Sequence, residues 1–284
     1  MSQIPHPKRW LITGVSSGFG LELARAALAR GDTVVGTLRQ REHADSFEKL
    51  APGRSHAVVL DVTRADDIGP AVQQAVQKAG GIDVLVNNAG YGLFGVVEEV
   101  SDAEGRHVME TNFFGALAVT RALLPHMREQ RSGHIFNITS VAGVIGFPGC
   151  GLYAASKFAL EGASEALAGE LAPFGVRVTI VEPGGFRTKF AGGSMRQAEQ
   201  VLQAYVDTPA GKARKSISRY DGHQPGDPAK AALAIITALE APEPPLRLVL
   251  GADGLAMVRG KHEGVLKELV EWESVSVNTA FPAP

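Results

Sequence analysis

The sequence predicts an α/β fold, a parallel sheet with helices covering both faces. Three observations carry that prediction. Short Val-, Leu- and Ile-rich runs alternate with longer helical stretches from Lys8 to Leu250, as in sheets buried on both sides. The first run passes through a glycine-rich turn directly into a helix, the setting of a nucleotide-phosphate site. No long polar linker and no internal repeat interrupts the alternation, so the 284 residues are read as one domain, 1–284.

Residues 8–13 form the first predicted strand, centred on Trp10-Leu11-Ile12, and lead into Thr13-Gly14-Val15-Ser16-Ser17-Gly18-Phe19-Gly20. A helix over 21–30 follows, closed by Gly31. The glycines permit a tight turn and close approach of a pyrophosphate, and the helix N-terminus supplies N–H donors and a positive dipole end. The second strand spans 33–38 and ends at Arg39, followed by a helix over 41–50. The third strand, 56–60, gives Asp61-Val62, with Thr63 placed as the cap of a helix to about Lys78. The fourth, 83–86, gives Asn87-Asn88-Ala89-Gly90.

Ser101-Asp102-Ala103-Glu104 reads as a capping box. It opens one long helix to about Arg128, with Asn112 in its middle. The fifth strand, 134–139, ends at Ser140, and a glycine-rich loop over 141–151 leads to the helix of Tyr153. The sixth, 176–181, runs into Glu182-Pro183-Gly184-Gly185-Phe186-Arg187-Thr188. Residues 189–224 show weak periodicity and are predicted as a mobile lid. A helix over 227–241, a seventh strand at 246–250 and a helix over 254–272 complete the chain, which ends in a loose tail.

Composition excludes several classes. A net charge of −2 with no clustered basic excess argues against nucleic acid. One cysteine, Cys150, excludes an intrachain disulfide and suggests a reducing compartment, so a cytoplasmic location is expected. No apolar run reaches the roughly 20 residues of a membrane span. The eight histidines show no metal-ligand spacing, so no metal is expected. Cys150 has no histidine near it in sequence and is taken as a small pocket-lining residue.

The chemical signal lies in Tyr153 and Lys157, four residues apart and therefore on one helical face. A free tyrosine has a pKa of about 10. A nearby cation favours the phenolate and makes the residue a usable acid/base. Together with Thr13-Gly14…Gly18-Phe19-Gly20, Asn87-Asn88-Ala89-Gly90, Asn112, Ser140 and Pro183-Gly184, this pair resembles the short-chain dehydrogenase/reductase family in order and spacing over roughly residues 8–255. Thr37-Leu38-Arg39 and the Tyr153–Gly162 stretch look most like its NADP-dependent hydroxysteroid and retinol dehydrogenase-like branch.

The resemblance implies one doubly wound Rossmann domain with a seven-stranded parallel sheet, and usually a homo-oligomer. It implies an oxidoreductase interconverting a small-molecule ketone or aldehyde and an alcohol with NADP(H). Tyr153 would be the acid/base, Lys157 its pKa-lowering neighbour and a partner of the nicotinamide ribose. Ser140 would donate to the carbonyl oxygen, and Asn112 would hold a relay water. Gly14, Ser16, Ser17, Gly18, Phe19 and Gly20 would hold the pyrophosphate, with Asp61 and Val62 at the adenine. Asn88, Ala89 and Gly90 would lie beneath the adenosine ribose; Pro183, Gly184, Phe186 and Thr188 would sit at the nicotinamide end.

Arg39 stands where an NAD-selecting carboxylate would, and its planar charged fork suits a 2′-phosphate. Simpler roles stay open: a strand-end turn for Ser140, a backbone bond in a bent helix for Asn112, a helix-initiating turn for Asp61, and a solvent-facing strand cap for Arg39. The loops expected around Tyr153 carry Tyr91, Leu93, Phe94, Val144, Ile145, Phe147, Phe186 and Phe190, an apolar wall that points to a steroid-, retinoid- or aryl-like substrate. The basic residues Arg187, Lys189, Arg196, Lys212, Arg214, Lys215 and Arg219 after the sixth strand are read as a solvated segment rather than an anion site. Two other activities remain compatible with this sequence: a non-catalytic NADP-binding regulator, and an epimerase or dehydratase that keeps its cofactor bound.

Overall fold

The computed structural model describes residues 7–281, apart from the side chains of Ala191, Ile217, Ser218 and Arg219. The strands are β1 (Arg9–Thr13), β2 (Thr33–Leu38), β3 (Ser55–Val59), β4 (Val84–Asn87), β5 (Gly92–Phe94), β6 (Gly133–Ile138), β7 (Val176–Pro183), β8 (Met195–Gln197) and β9 (Arg247–Leu250). The helices are α1 (Gly18–Ala29), α2 (Ala44–Glu48), α3 (Ala65–Ala79), α4 (Asp102–Met109), α5 (Gly115–Glu129), α6 (Gly151–Leu171), α7 (Phe190–Gly193), α8 (Pro209–Tyr220), α9 (Pro228–Glu240) and α10 (Ala252–Ser276). Seven strands form one sheet in the order β3-β2-β1-β4-β6-β7-β9, and every pairing in it is parallel.

Successive residues of a strand point to opposite faces, and the core divides accordingly. Trp10, Ile12 and Val34 pack with Leu23 and Ala27 of α1 and Ile235 of α9. Leu11, Val35 and Leu85 pack on the other face with Ile68 and Val72 of α3 and Leu123 of α5. The winding reverses between β1 and β4, and in open α/β sheets the carboxyl ends at such a reversal frame the ligand crevice. No helix among the described residues is long and apolar enough to cross a membrane.

Four local expectations are corrected. The long helix predicted from Ser101 is real at its start, where Ser101 and Glu104 form the reciprocal capping box, but a wide π turn at Glu110–Phe114 separates α4 from α5. Thr63 caps no helix; its N–H and hydroxyl both bond Asp61, and α3 begins at Ala65. The helix expected over 41–50 is a 3-10 turn followed by the short α2. An additional parallel pair, β5 with β8, was not foreseen. It ties the 189–224 segment, which also holds α7 and α8, to the chain just after β4.

Candidate active site

A cleft of about 840 Å³ runs along the carboxyl edge of the sheet, from Arg39 and Asp61 at one end to Tyr153, Phe190 and Arg196 at the other. The turn after β1 forms its middle. Gly14 and Gly18 have φ of 75° and 61°, a left-handed backbone that glycine adopts without steric cost. The N–H groups of Gly14 and Val15 both donate to the Thr37 carbonyl at 3.0 Å, which seats the turn on β2. Ser16, Ser17, Gly18 and Phe19 face the cleft. The Ser17 hydroxyl caps nothing in α1 and is free to meet a ligand.

One residue expected on the cleft stands behind it, and another only partly faces it. Gly20 does not line it; a Cβ there would collide with the Gly14 carbonyl oxygen and the Asn88 amide, so Gly20 lets α1 close on the turn. Asn88 does reach the lining, but its amide turns inward to the Thr13 and Gly14 carbonyls at 2.9 Å each. The Thr13 hydroxyl accepts from Asn88 and Ala89 N–H at 2.9 and 3.0 Å. The Asn88-Ala89-Gly90 stretch is thus a buckle between β1 and β4 as well as a floor.

At the far end Leu38, Arg39, Asp61 and Val62 line the cleft. Burial pushes the Asp61 carboxyl up. The Thr63 N–H and hydroxyl, with Arg39 and His107 nearby, outweigh that and hold it below the usual carboxylate range. Asp61 therefore does both things the sequence allowed: it builds the turn and borders the cleft. Arg39 is exposed, with its charge near that carboxylate.

The chemical end is built on α6 and the ends of β6 and β7. Tyr153, Ser156 and Lys157 are buried, so the face chosen by the four-residue spacing turns inward. Ser140 and Tyr153 lie side by side: burial pushes the phenol up to about 12, the Ser140 hydroxyl working in the opposite direction. The Ser140 oxygen also accepts from the Ala142 N–H at 3.1 Å. Lys157 Nζ donates to the Ile138 carbonyl at 2.8 Å, and burial pulls its pKa down to about 8 while Glu161 opposes that. Desolvation dominates the phenol, and the ammonium is turned to a backbone carbonyl.

Asn112 is buried in the π turn and does not border the cleft. Its amide donates to the Tyr91 carbonyl and the Ser156 hydroxyl at 2.9 and 3.0 Å. Its oxygen accepts from Tyr91 N–H at 3.0 Å. Both amide hydrogens are spent on the protein, so the side chain braces the segment beside Lys157 and cannot donate to a relay water. A Cβ at Gly90 would sit 3.0 Å from the Asn112 oxygen, close enough that the amide would have to give.

Of the expected wall, Tyr91, Phe147, Phe186 and Phe190 line the cleft; Leu93, Phe94, Val144 and Ile145 do not. Leu93 and Phe94 are buried in β5 beneath it. The 189–224 segment and α10 supply what the sequence did not reveal, notably Met195, Arg196, Tyr220, Gln224, Asp253 and Met257. Arg196 lies over the Tyr91 ring at 4.9 Å. Cys150 also borders the cleft, with its thiol pushed up to about 11 by burial, which makes it a poor nucleophile. The segment is held down by Arg214 of α8, paired with the fully buried Glu99, and by Tyr205 bonded to Glu98 at 2.5 Å. So Arg214 is structural, not part of a solvated basic loop.

Comparison with known proteins gives one consistent family. Residues 8–199 match the family model described as short chain dehydrogenase. An oxidoreductase of Botryotinia fuckeliana, BOA17, is 40% identical over 96% of this chain and 99% of its own length. Human retinol dehydrogenase 8 is 38% identical over 85% of this chain and 80% of its own. The crystal structure of a short-chain dehydrogenase from Streptomyces avermitilis superposes with a TM-score of 0.90 at 46% identity, covering 99% of this chain and 100% of that one. Solved structures at 27% and 28% identity, both with a TM-score of 0.71, hold NADP and NADH respectively.

Proposed function

This chain belongs to the short chain dehydrogenase family, and from that premise we propose that it interconverts an apolar ketone or aldehyde and its alcohol, with NADP(H) as the hydride partner. The observation that carries this reading is the convergence of the glycine turn, Arg39 and the Ser140–Tyr153–Lys157 group on one cleft. The residues present fit a dinucleotide: left-handed glycines admit its backbone-close approach, and the start of α1 offers N–H groups to its phosphates.

When bound, the nicotinamide supplies or accepts the hydride. Gly14, Ser16, Ser17, Gly18 and Phe19 would hold the pyrophosphate, and Arg39 with Ser17 a 2′-phosphate. Asp61 and Val62 would border the adenine, and Asn88, Ala89 and Gly90 its ribose. Lys157 would hold the nicotinamide ribose, and Pro183, Gly184, Phe186 and Thr188 the nicotinamide end.

Tyr153 does the proton transfer. With its pKa raised to about 12, the phenol is protonated at neutral pH and can donate to a carbonyl oxygen becoming an alkoxide. Ser140 donates a hydrogen bond to the same oxygen as charge develops. Lys157 faces the same cavity and replaces the proton. In the oxidative direction the ammonium, turned toward Tyr153, stabilises the phenolate. Phe147 and Phe190 exclude water from this end and favour an apolar substrate. The 189–224 segment acts as the lid, its β8 and α8 docking on β5 and Glu99.

The test is a panel of carbonyls and alcohols run in parallel with NADPH/NADP and NADH/NAD. NADPH oxidation by an aryl, steroid-like or retinoid-like ketone is expected. Preference for short polar sugars would contradict the apolar pocket. Tightly held nucleotide without net turnover would contradict the oxidoreductase reading and favour an epimerase or dehydratase.

A further inference from the structure

Beneath Lys157, on the side away from the cleft, lies a buried acidic cluster that the mechanism above does not use. Tyr153, Lys157 and Glu161 succeed one another at intervals of four on α6, and all three are buried. The Glu161 carboxyl meets charged or polar groups from every element around it. On α6 this is Lys157; on β7, Glu182; on β9, Arg247. Thr139, at the end of β6, bonds it at 2.6 Å. His262 of α10 acts on Glu182 from the outer side. Arg247 bonds Glu161, and bonds Glu182 at 3.2 Å and the exposed Glu165 at 3.1 Å. Two fully enclosed carboxylates therefore share one guanidinium.

The Thr139 hydroxyl shows where the imbalance is relieved. Its oxygen lies 2.6 Å from Glu161 Oε1 and 2.8 Å from the Val181 carbonyl oxygen. A hydroxyl has one proton and cannot donate to both. Both contacts are hydrogen bonds only if Thr139 donates to Val181 and the carboxyl of Glu161 donates to Thr139. The same strand end presents the Ile138 carbonyl to Lys157 and the Ser140 hydroxyl to the cleft. Burial and the Glu182 charge act in the same direction, pushing Glu161 up to about 7 against the charge of Arg247.

Resting on the oxidoreductase reading, we propose that Glu161 is a positioning residue. Its protonated form clamps the β6 end that carries Ser140 and the Lys157 acceptor, and on releasing that proton at higher pH it keeps Lys157 in its ammonium form. The sign follows from the geometry. A carboxylate formed one turn from Lys157 raises the lysine pKa, so the two groups titrate in opposition and the alkaline loss of the ammonium is deferred.

The direct test is infrared spectroscopy of the full chain without nucleotide, where a neutral carboxyl has a carbonyl stretch distinct from a carboxylate. A buried neutral-carboxyl band at pH 7 that disappears on raising the pH, and is missing from Glu161→Gln, is expected. Absence of the band in the wild type, or its survival in Glu161→Gln, overturns the proposal; the wild-type titration needs no variant to fold. Glutamine keeps a donor for Thr139 and an acceptor for Arg247, so Glu161→Gln should remain folded and active at neutral pH. The alkaline limb of its pH–rate profile should move down by roughly half a unit to one unit, since the deferred charge is missing. An unmoved limb in a folded variant also overturns the proposal. Failure of every carbonyl to react would defeat the oxidoreductase reading instead, and would leave the infrared band as it is.

Discussion

The two ends of the cleft are built in opposite ways. The nucleotide end consists of backbone: left-handed Gly14 and Gly18, N–H groups seated on the Thr37 carbonyl, and the Thr13–Asn88 buckle. All of it hangs from strands in the middle of the sheet. The substrate end adds to Ser140, Tyr153 and Lys157 side chains that reach in from α10 and from the 189–224 segment, the latter fastened by the Arg214–Glu99 pair and the three-residue β5–β8 ladder. The difference teaches that one end is specified by the fold and the other by a few removable contacts. Mutations should therefore separate binding of nucleotide from binding and conversion of substrate.

The largest separation is expected from Tyr153→Phe. It removes the hydroxyl and keeps the ring against Phe190. Turnover should fall roughly 10²–10⁴-fold while nucleotide affinity, followed by fluorescence titration, stays near wild type. Near-normal turnover would remove Tyr153 from the chemistry.

Next comes the fastening of the 189–224 segment. Arg214→Met leaves Glu99 buried without its guanidinium, a loss of about 3–5 kcal/mol for a buried pair. Residues 189–224 should become sensitive to limited proteolysis and KM for the carbonyl should rise, with nucleotide affinity unchanged. Equal loss of nucleotide affinity would show that the two ends are not separable.

A smaller effect is expected at the other end. Removing a charge-assisted contact costs roughly 1.5–3 kcal/mol, so Arg39→Ala should weaken NADP binding by about ten- to a hundredfold and leave NAD almost untouched. Leu38→Asp with Arg39→Ala should reverse the preference. Equal loss for both nucleotides would mean that Arg39 meets no 2′-phosphate.

The smallest effect is one of pH. Burial pushes Glu99 up, but Arg214 and the N–H groups of Leu202 and Val96 outweigh it and hold the carboxyl below the usual glutamate range. A depressed carboxylate stabilises above its unfolded pKa, about 4.3, and that stabilisation is lost as pH falls through the folded value. Residues 189–224 should thus open to protease in acid before the sheet unfolds, which hydrogen exchange can follow segment by segment. Simultaneous exposure of β1 and this segment would break the distinction.

The same contrast explains what the sequence discloses. Alternating apolar runs announced the parallel sheet because each strand is buried on both faces, and Gly14, Gly18, Tyr153 and Lys157 were legible because backbone geometry or spacing requires them. Gly20 was recognised as special but placed on the cleft instead of behind it, since spacing does not show which side of a turn a residue faces. The π turn around Asn112 was hidden because one widened turn leaves helical periodicity nearly intact. The β5–β8 pair is too short to show a period of two. Arg214 reads as a surface charge until Glu99, 115 positions away in sequence, is seen beneath it.

The most direct measurement is a single turnover with NADPH deuterated at both positions of the nicotinamide C4 and an apolar ketone, with the product analysed by mass spectrometry. The expected product is an alcohol one mass unit heavier, labelled on the former carbonyl carbon, formed by the wild type and not, on the same timescale, by Tyr153→Phe. An unlabelled product, or nucleotide returned unchanged across the whole panel, would contradict it.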